Sequence, residues 1–162
     1  MTATVLLAVA IGVWPAGPAR AQAPIDVYDL ADYRLTPKVF EQFVDASGRI
    51  AEITRQDAAF RYAPLFTKEI ALSGDAVAEA SGLVARLENH AALATALETA
   101  KLTPREYSKF IIALVGAHVA YGFIKSGVLK NVPPGAPTNN VEFVMMHESE
   151  VAAVLAELGI RN

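Results

Sequence analysis

The chain has 162 residues, enough for one domain with a substantial core, and a formal net charge of −3. It contains no cysteine, which excludes disulfides, thiol catalysis and a covalently attached c-type haem. Lysine and arginine occur singly and not in clusters, so nucleic acid and anionic lipid surfaces are not expected partners.

Residues 1–23 predict an export signal. Residues 2–14 form an uncharged apolar run of the length of a secretory h-region, and small residues then offer cleavage after Ala21 or after Ala23. Cleavage after Ala21 is favoured because Pro24 would obstruct the other bond. No basic residue precedes the run, a departure that a start site placed too late explains. The alternative is a retained anchor, but the run is shorter than the roughly 20 residues that span a bilayer.

The next segments predict an irregular lead-in followed by an amphipathic helix. Residues 22–34 have no clear period, whereas Thr36 and Pro37 supply a cap and a first helical position for a helix over residues 37–56. Its apolar side chains recur at spacings of three and four: Val39, Phe40, Phe43, Val44, Ile50 and Ala51.

The middle of the chain predicts shorter elements. Residues 57–73 are interrupted by Pro64, and we expect one or two short turns there. A helix follows from Asp75 to a break at Asn89–His90, and a shorter helix covers residues 91–101.

The strongest local signal of the domain is the capping box that begins at Thr103 and includes Glu106. It predicts a helix to about residue 126, closed by Gly127. Residues 110–124 contain no charge and are apolar on every side, which indicates the central helix of a bundle. Its small residues predict close approach of neighbouring helices: Ala113, Gly116, Ala117 and Ala120.

A proline-containing linker over residues 128–139 leads to a last helix over about 140–158. Asn140, or Asn139 with Glu142, supplies its predicted cap. Its predicted apolar stripe comprises Phe143, Val144, Val151, Val154, Leu155 and Leu158. No strand-like alternation of useful length occurs, so the sequence predicts an all-α, single-domain bundle of four to five helices over residues 35–162.

Two histidines are the candidates for chemistry. His118 and His147 each lie in the middle of an apolar helical stripe, and a return of the last helix antiparallel to the preceding one would let them meet. Glu150 lies one turn beyond His147, so these three residues form the candidate metal site. The alternative is that each imidazole is bonded to a neighbour within the core.

No motif predicts catalysis. The segment starting His147-Glu148 lacks the second histidine of the zinc-protease pattern, since Val151 stands there. Met145 and Met146 are expected to fill gaps in the core. No nucleotide or phosphate fingerprint and no serine elbow occurs, so we expect neither a cofactor nor an active site. Some apolar residues lie outside the stripes, and their pattern is compatible either with packing over the core or with an exposed binding patch: Tyr28, Tyr33, Phe60, Tyr62, Phe66, Leu129 and Val132.

The C-terminal 60 residues or so resemble a loosely defined group of secreted bacterial proteins. The resemblance rests on the segments LTPREYSKFIIALVGAHVAYGFIKSG and NNVEFVMMHESEV. Members similarly pair a Leu-Thr-Pro-x-Glu-Tyr helix start with Asn-Val-x-Phe-Val and His-Glu in the last helix. The resemblance implies an all-helical bacterial envelope protein, and it transfers no activity and no site residue.

These observations predict a periplasmic or secreted helical module that binds a protein or a small molecule without catalysis. One alternative is an accessory extracytoplasmic subunit of a membrane complex. Another is a metal or haem carrier using His118 and His147.

Overall fold

The computed structural model describes residues 25–62, 65–66, 75–133 and 136–160. The predicted signal peptide over residues 1–21 therefore lies outside the described residues. Within them the chain is helical and contains no strand, which confirms the all-α class. The described part contains more helices than the four to five predicted: α1 (Val27–Ala31), α2 (Pro37–Gln56), α3 (Ala59–Tyr62), α4 (Ala76–Glu88), α5 (Ala91–Thr99), α6 (Pro104–Lys125), α7 (Thr138–Met146) and α8 (Glu148–Glu157).

The predicted caps of the two long helices are confirmed. Thr36 accepts a hydrogen bond from the Val39 amide at the start of α2, and Thr103 accepts one from the Glu106 amide at the start of α6. Each cap satisfies one of the amides that a first helical turn leaves without an intrahelical partner. Because these signals are local in sequence, both helices begin where the pattern places them.

The lead-in is more ordered than predicted, because it contains α1. Asp26 and Asp29 cap this helix reciprocally, each side chain accepting from the backbone amide of the other residue. With five residues, α1 is too short to show a helical period in the sequence.

The prediction of one continuous last helix, capped by Asn140 or Asn139, is wrong. The helix divides at His147 into α7 and α8, and Pro137 stands at the N-cap position of α7 without a side-chain cap. Asn140 is buried within α7. Its Oδ1 accepts a hydrogen bond from the Leu35 amide at 3.0 Å, and its Nδ2 donates to the Tyr33 carbonyl at 3.0 Å. The side chain predicted to start a helix therefore holds the segment before α2.

The core is built around α6 and an aromatic cluster. Phe43 stacks on Tyr107 and on Phe110, with ring centroids 4.9 Å apart in both pairs. Phe40 packs against Phe110 and meets Phe143 edge-on at 5.4 Å. These contacts join α2, α6 and α7 across long sequence separations, so burial of aromatic surface stabilises their mutual placement.

Helix α6 is surrounded over most of its length and emerges at its C-terminal end. Its residues from Tyr107 to Ala120 include nine buried side chains, whereas Phe123 is 46% exposed. The prediction that residues 110–124 form the central helix of the bundle is therefore wrong at Gly116 and at Phe123, which are exposed. By length and composition alone α6 is the one described helix that could cross a membrane, a test that the core helix of a soluble bundle also passes.

Candidate functional site

His147 and Glu150, two of the three predicted site residues, lie together at the junction of α7 and α8. The His147 ring stacks on Phe143 with centroids 4.5 Å apart and lies 5.7 Å from the ring of Phe40. Its Nδ1 lies 3.1 Å from Glu150 Oε2. The imidazole is therefore oriented by two aromatic rings and one carboxylate.

His118, the third predicted residue, lies half-buried on α6, on the side of Glu148. Burial lowers the pKa of His118, and the charge of Glu148 opposes that change. Glu148 itself accepts a hydrogen bond from the Tyr121 hydroxyl at 2.9 Å and pairs with Lys125. The Lys125 and Tyr121 hydrogen bonds lower the pKa of the Glu148 carboxyl.

Helix α7 follows α6 in the same direction and not antiparallel. Near its start, Asn140 contacts Tyr33, which packs edge-on against Phe110 in the first half of α6. Just beyond its end, Glu148 contacts Tyr121 and Lys125 in the last turns of α6. The linker therefore returns along α6 before α7 begins, and the antiparallel arrangement expected to bring the histidines together does not form.

Among the described residues, no three or more His, Cys, Asp or Glu side chains gather in a group that could hold a metal ion. The pair formed by His147 and Glu150 supplies two potential ligands, and the His118 imidazole interacts with the charge of Glu148. The metal site of His118, His147 and Glu150 stays a prediction.

A groove of about 490 Å³ runs between α2 and α8, next to the His147–Glu150 pair. Its lining consists of Phe40, Glu41, Val44, Glu150, Ala153, Val154 and Glu157. Phe40 and Val154 are buried and form its base, while Val44 is 41% exposed. The exposed residues Glu41, Glu150 and Glu157 form its rim. The groove thus combines an apolar floor with three carboxylates.

Two predictions about apolar residues are corrected here. Val44 belongs to the predicted core stripe of α2, but it lies at the edge of that stripe and lines the groove. Met145 and Met146 were expected in the core and are 55% and 71% exposed. The buried face of α7 is supplied by Asn140, Val141, Phe143 and Val144, and helical spacing places both methionines outside that face.

The electrostatics of the groove are one-sided. None of its described lining residues is lysine or arginine. The sequence of residues 138–157, which forms α7 and α8, contains four glutamates and no lysine or arginine. A site of this character attracts cations and repels anionic ligands such as phosphates and carboxylates.

A second cleft, of about 470 Å³, lies between α1, α4 and α6. Its lining is mainly apolar and includes Ala113, Gly116 and Ala117 of α6. The expected close approach of a neighbouring helix does not occur at Gly116, where an added Cβ would meet no atom within 4 Å. The buried Asn140 also lines this cleft, but its amide is already bonded to Leu35 and Tyr33.

Comparison of the chain with protein-family models, with curated proteins and with solved structures found no match. The function therefore has to be argued from the chemistry of the groove.

Sequence reasoning found Glu150 and missed the rest of the groove. A partial signal was present, since Glu150, Ala153 and Glu157 share one face of α8 by helical spacing. The contribution of α2 through Glu41 and Val44 depends on which helices pack together, and no local pattern encodes that choice.

Proposed function

We propose that this protein is an exported, non-catalytic binding module that holds a segment of a partner protein in the α2–α8 groove. The observation that carries the proposal is the apolar floor, open at Val44 and enclosed by the three rim carboxylates. Apolar surface that is left accessible within a polar rim is typical of protein interaction sites.

The same lining argues against catalysis at the groove. Carboxylates serve as general acid and base where burial tunes them for proton transfer. Glu41, Glu150 and Glu157 are all exposed, and the remaining lining groups are alkyl and phenyl. This composition supports attraction of a cationic partner better than it supports a reaction.

Export is supported by residues 1–23 of the sequence. The test is the intact mass of untagged protein purified from the envelope fraction of cells that make it naturally. We expect a mass that lacks residues 1–21. Recovery of the full-length chain in the cytosol would contradict export.

Binding at the groove is tested with a photo-crosslinking benzoylphenylalanine placed at position 153 or at position 152 in the natural host. Ala153 lines the groove, whereas Ala152 is exposed on the same helix outside it. We expect a specific protein adduct from position 153 and none from position 152. Absence of an adduct at 153, or equal adducts at both positions, would contradict the proposed function.

The identity of the crosslinked protein also tests the accessory-subunit alternative. If the adduct contains an integral membrane protein, the module is an accessory extracytoplasmic subunit of that complex. If it contains a soluble envelope protein, this alternative is wrong.

A metal or haem carrier is the second alternative, and the His147–Glu150 pair is the observation that favours it. Elemental analysis and a visible spectrum of untagged protein test it. Bound metal at unit stoichiometry that His147→Gln removes would support a carrier, and protein without metal and without a Soret band would exclude it.

A further inference from the structure

We infer that the groove selects an amphipathic helix with Lys or Arg at two positions seven residues apart and apolar residues three and four positions after the first. This inference rests on the proposed function and specifies the partner segment that the same groove recognises. It follows from the spacing of the rim carboxylates, the composition of the floor and the nature of the walls.

The rim sets the spacing of the partner's charges. Glu150 and Glu157 are seven residues apart on α8, which places them about two helical turns, or roughly 10.5 Å, apart along the axis. A helix that lies along α8 repeats at the same interval, so its residues i and i+7 face the two carboxylates together. Glu41 on the opposite wall adds a third negative group along the path.

The floor sets the apolar positions of the partner. Ala153 lies three residues after Glu150 and four before Glu157, at the middle of the interval, and Val44 faces the same groove from α2. Residues i+3 and i+4 of the bound helix lie at the same height and bury their side chains there. Because the alanine side chain is small, a second helix can approach α8 closely at this point.

The walls favour a helix over an extended peptide. Both walls of the groove are α-helices, α2 and α8, whose central amides and carbonyls are bonded within each helix. An extended segment gains affinity by pairing its backbone with a sheet edge, and here its amides would face an apolar floor without partners. A helical segment satisfies its own backbone and buries only side chains.

The ion pairs between the rim carboxylates and the bound helix mainly fix the register of that helix and make its binding depend on salt. Exposed ion pairs are individually weak, so most of the affinity has to come from burial at the floor. No lysine or arginine among the described lining residues opposes the partner's positive charges, and the basic group beside the rim is the His147 imidazole, 3.1 Å from Glu150.

The test uses the purified full chain and two labelled helical peptides of about 15 residues with identical composition. One has lysine at positions i and i+7 with leucine at i+3 and i+4, and the other has its lysines five apart, on different faces. Because the altered spacing leaves one of the two exposed ion pairs unmade, we expect fluorescence anisotropy to show about two- to fivefold tighter binding of the first peptide. Equal affinity for the two peptides would overturn the inference.

Charge variants test the same inference independently. Glu150→Gln combined with Glu157→Gln should weaken the first peptide about tenfold, as expected for two exposed ion pairs. The control, Glu98→Gln combined with Glu142→Gln, removes the same charge from exposed positions outside the groove and should leave binding unchanged. A double groove variant that binds as tightly as this control would overturn the inference.

Blocking the groove separates failure of this inference from failure of the proposed function. Ala153→Trp fills the floor from an exposed position, and Ala152→Trp is the matched control. If the unsubstituted protein binds both peptides with equal affinity and Ala153→Trp abolishes binding of both, the groove binds segments but the spacing rule is wrong. If Ala153→Trp changes no binding and position 153 gives no adduct in cells, both proposals fail. A dimer of this chain that Ala153→Trp dissociates would instead identify a second copy as the occupant and overturn the inference.

Discussion

Asn140 shows how one buried polar side chain can organise distant parts of the chain. It is 1% exposed and bonds to the backbone of Leu35 and of Tyr33. Buried backbone groups cost little when they are paired and much when they lose their partner. The residue therefore stabilises the entry to α2 from a position more than 100 residues later.

Asn140→Ala should lower the free energy of unfolding by about 2–4 kcal/mol, because it leaves one amide and one carbonyl without partners. Urea unfolding followed by circular dichroism measures the change. Asn139→Ala is the matched control, since Asn139 is the exposed neighbour. If the two variants differ by less than about 0.5 kcal/mol, the role assigned to Asn140 is wrong.

The buried hydroxyl pair of Ser47 and Tyr107 gives a second prediction. Their oxygens are 3.0 Å apart, and both residues are fully buried. Tyr107→Phe should cost about 1–2 kcal/mol because it leaves the Ser47 hydroxyl unpaired, and adding Ser47→Ala should recover part of that loss. A double-mutant cycle on unfolding free energies measures the coupling. Strict additivity of the two changes would show that the hydroxyls do not interact.

At single residues, sequence reasoning succeeded where the partner is near in the chain. Thr36 and Thr103 bond to amides three residues away, and the pattern of each helix start contains that information. Asn140 was misassigned as a cap because its partners are far away in sequence, and nothing around it indicates them. Met145 and Met146 were misassigned although helical spacing places them outside the face that carries Phe143 and Val144.

At the scale of the elements, the long helices were predicted well and the break in the last one was not. Helices α2 and α6 show sustained periodicity between clear start signals, and such patterns specify a helix without tertiary information. The break at His147 coincides with contacts of its ring with Phe143 and Phe40 and with Glu150. Of these contacts, the one with Phe40 forms only when α2 packs beside α7, so local spacing suggests one continuous helix.

Substitution by alanine should change stability in opposite directions at two glycines, one within α6 and one just after its end. Gly116→Ala should raise the unfolding free energy by about 0.5–1 kcal/mol, because the position is helical and an added Cβ meets no atom within 4 Å. Gly127→Ala should lower it by about 1 kcal/mol, because Gly127 ends the helix at φ +76°, where a side chain is strained. Thermal unfolding monitored by circular dichroism at 222 nm measures the stability of the two variants, which have the same amino-acid composition. Destabilisation by Gly116→Ala would mean that the cleft above it is filled.

At the scale of the whole molecule, stability should fall with acidity in two separate pH ranges. Burial lowers the pKa of His118, so the folded state holds this imidazole neutral where the unfolded chain protonates it. Its contribution is therefore complete above the ordinary value of about 6.5 and declines as the pH falls below it. The carboxyls of Glu148, Asp57 and Asp29 have lowered pKa values, so their contributions are lost only at lower pH, as they become protonated.

His118→Gln should reduce the loss of stability between pH 7 and pH 5.5 and leave the steeper loss below about pH 4 in place. Urea unfolding at a series of pH values measures both ranges, and proton NMR titration assigned with the same variant measures the imidazole directly. A His118 midpoint at or above its ordinary value would contradict the prediction. Glu148→Gln should reduce the loss in the lower range and enlarge the loss in the upper range, because it removes the charge that raises the pKa of His118.

The candidate site, like the fold, could be predicted from the sequence only in part, because some of its contacts join residues that are distant in the chain. Glu150 was predicted because it lies one helical turn after His147, and helical spacing places Glu157 on the same face. The groove itself needs α2 to lie beside α8, and Val44 and Glu41 have no relation to α8 until the core aromatic residues bring the two helices together. A surface assembled from two distant helices is a property of packing.

The Asn140 contacts also bear on how the protein can be made. A ribosome adds residues in order from the N-terminus, and small domains begin to organise during synthesis. Here the backbone at positions 33 and 35 receives its bonding partners only when residue 140 has been translated and has left the exit tunnel. The backbone at these two positions therefore stays without its Asn140 partners until more than 100 further residues have been added, which leaves an interval in which a chaperone can bind the nascent chain.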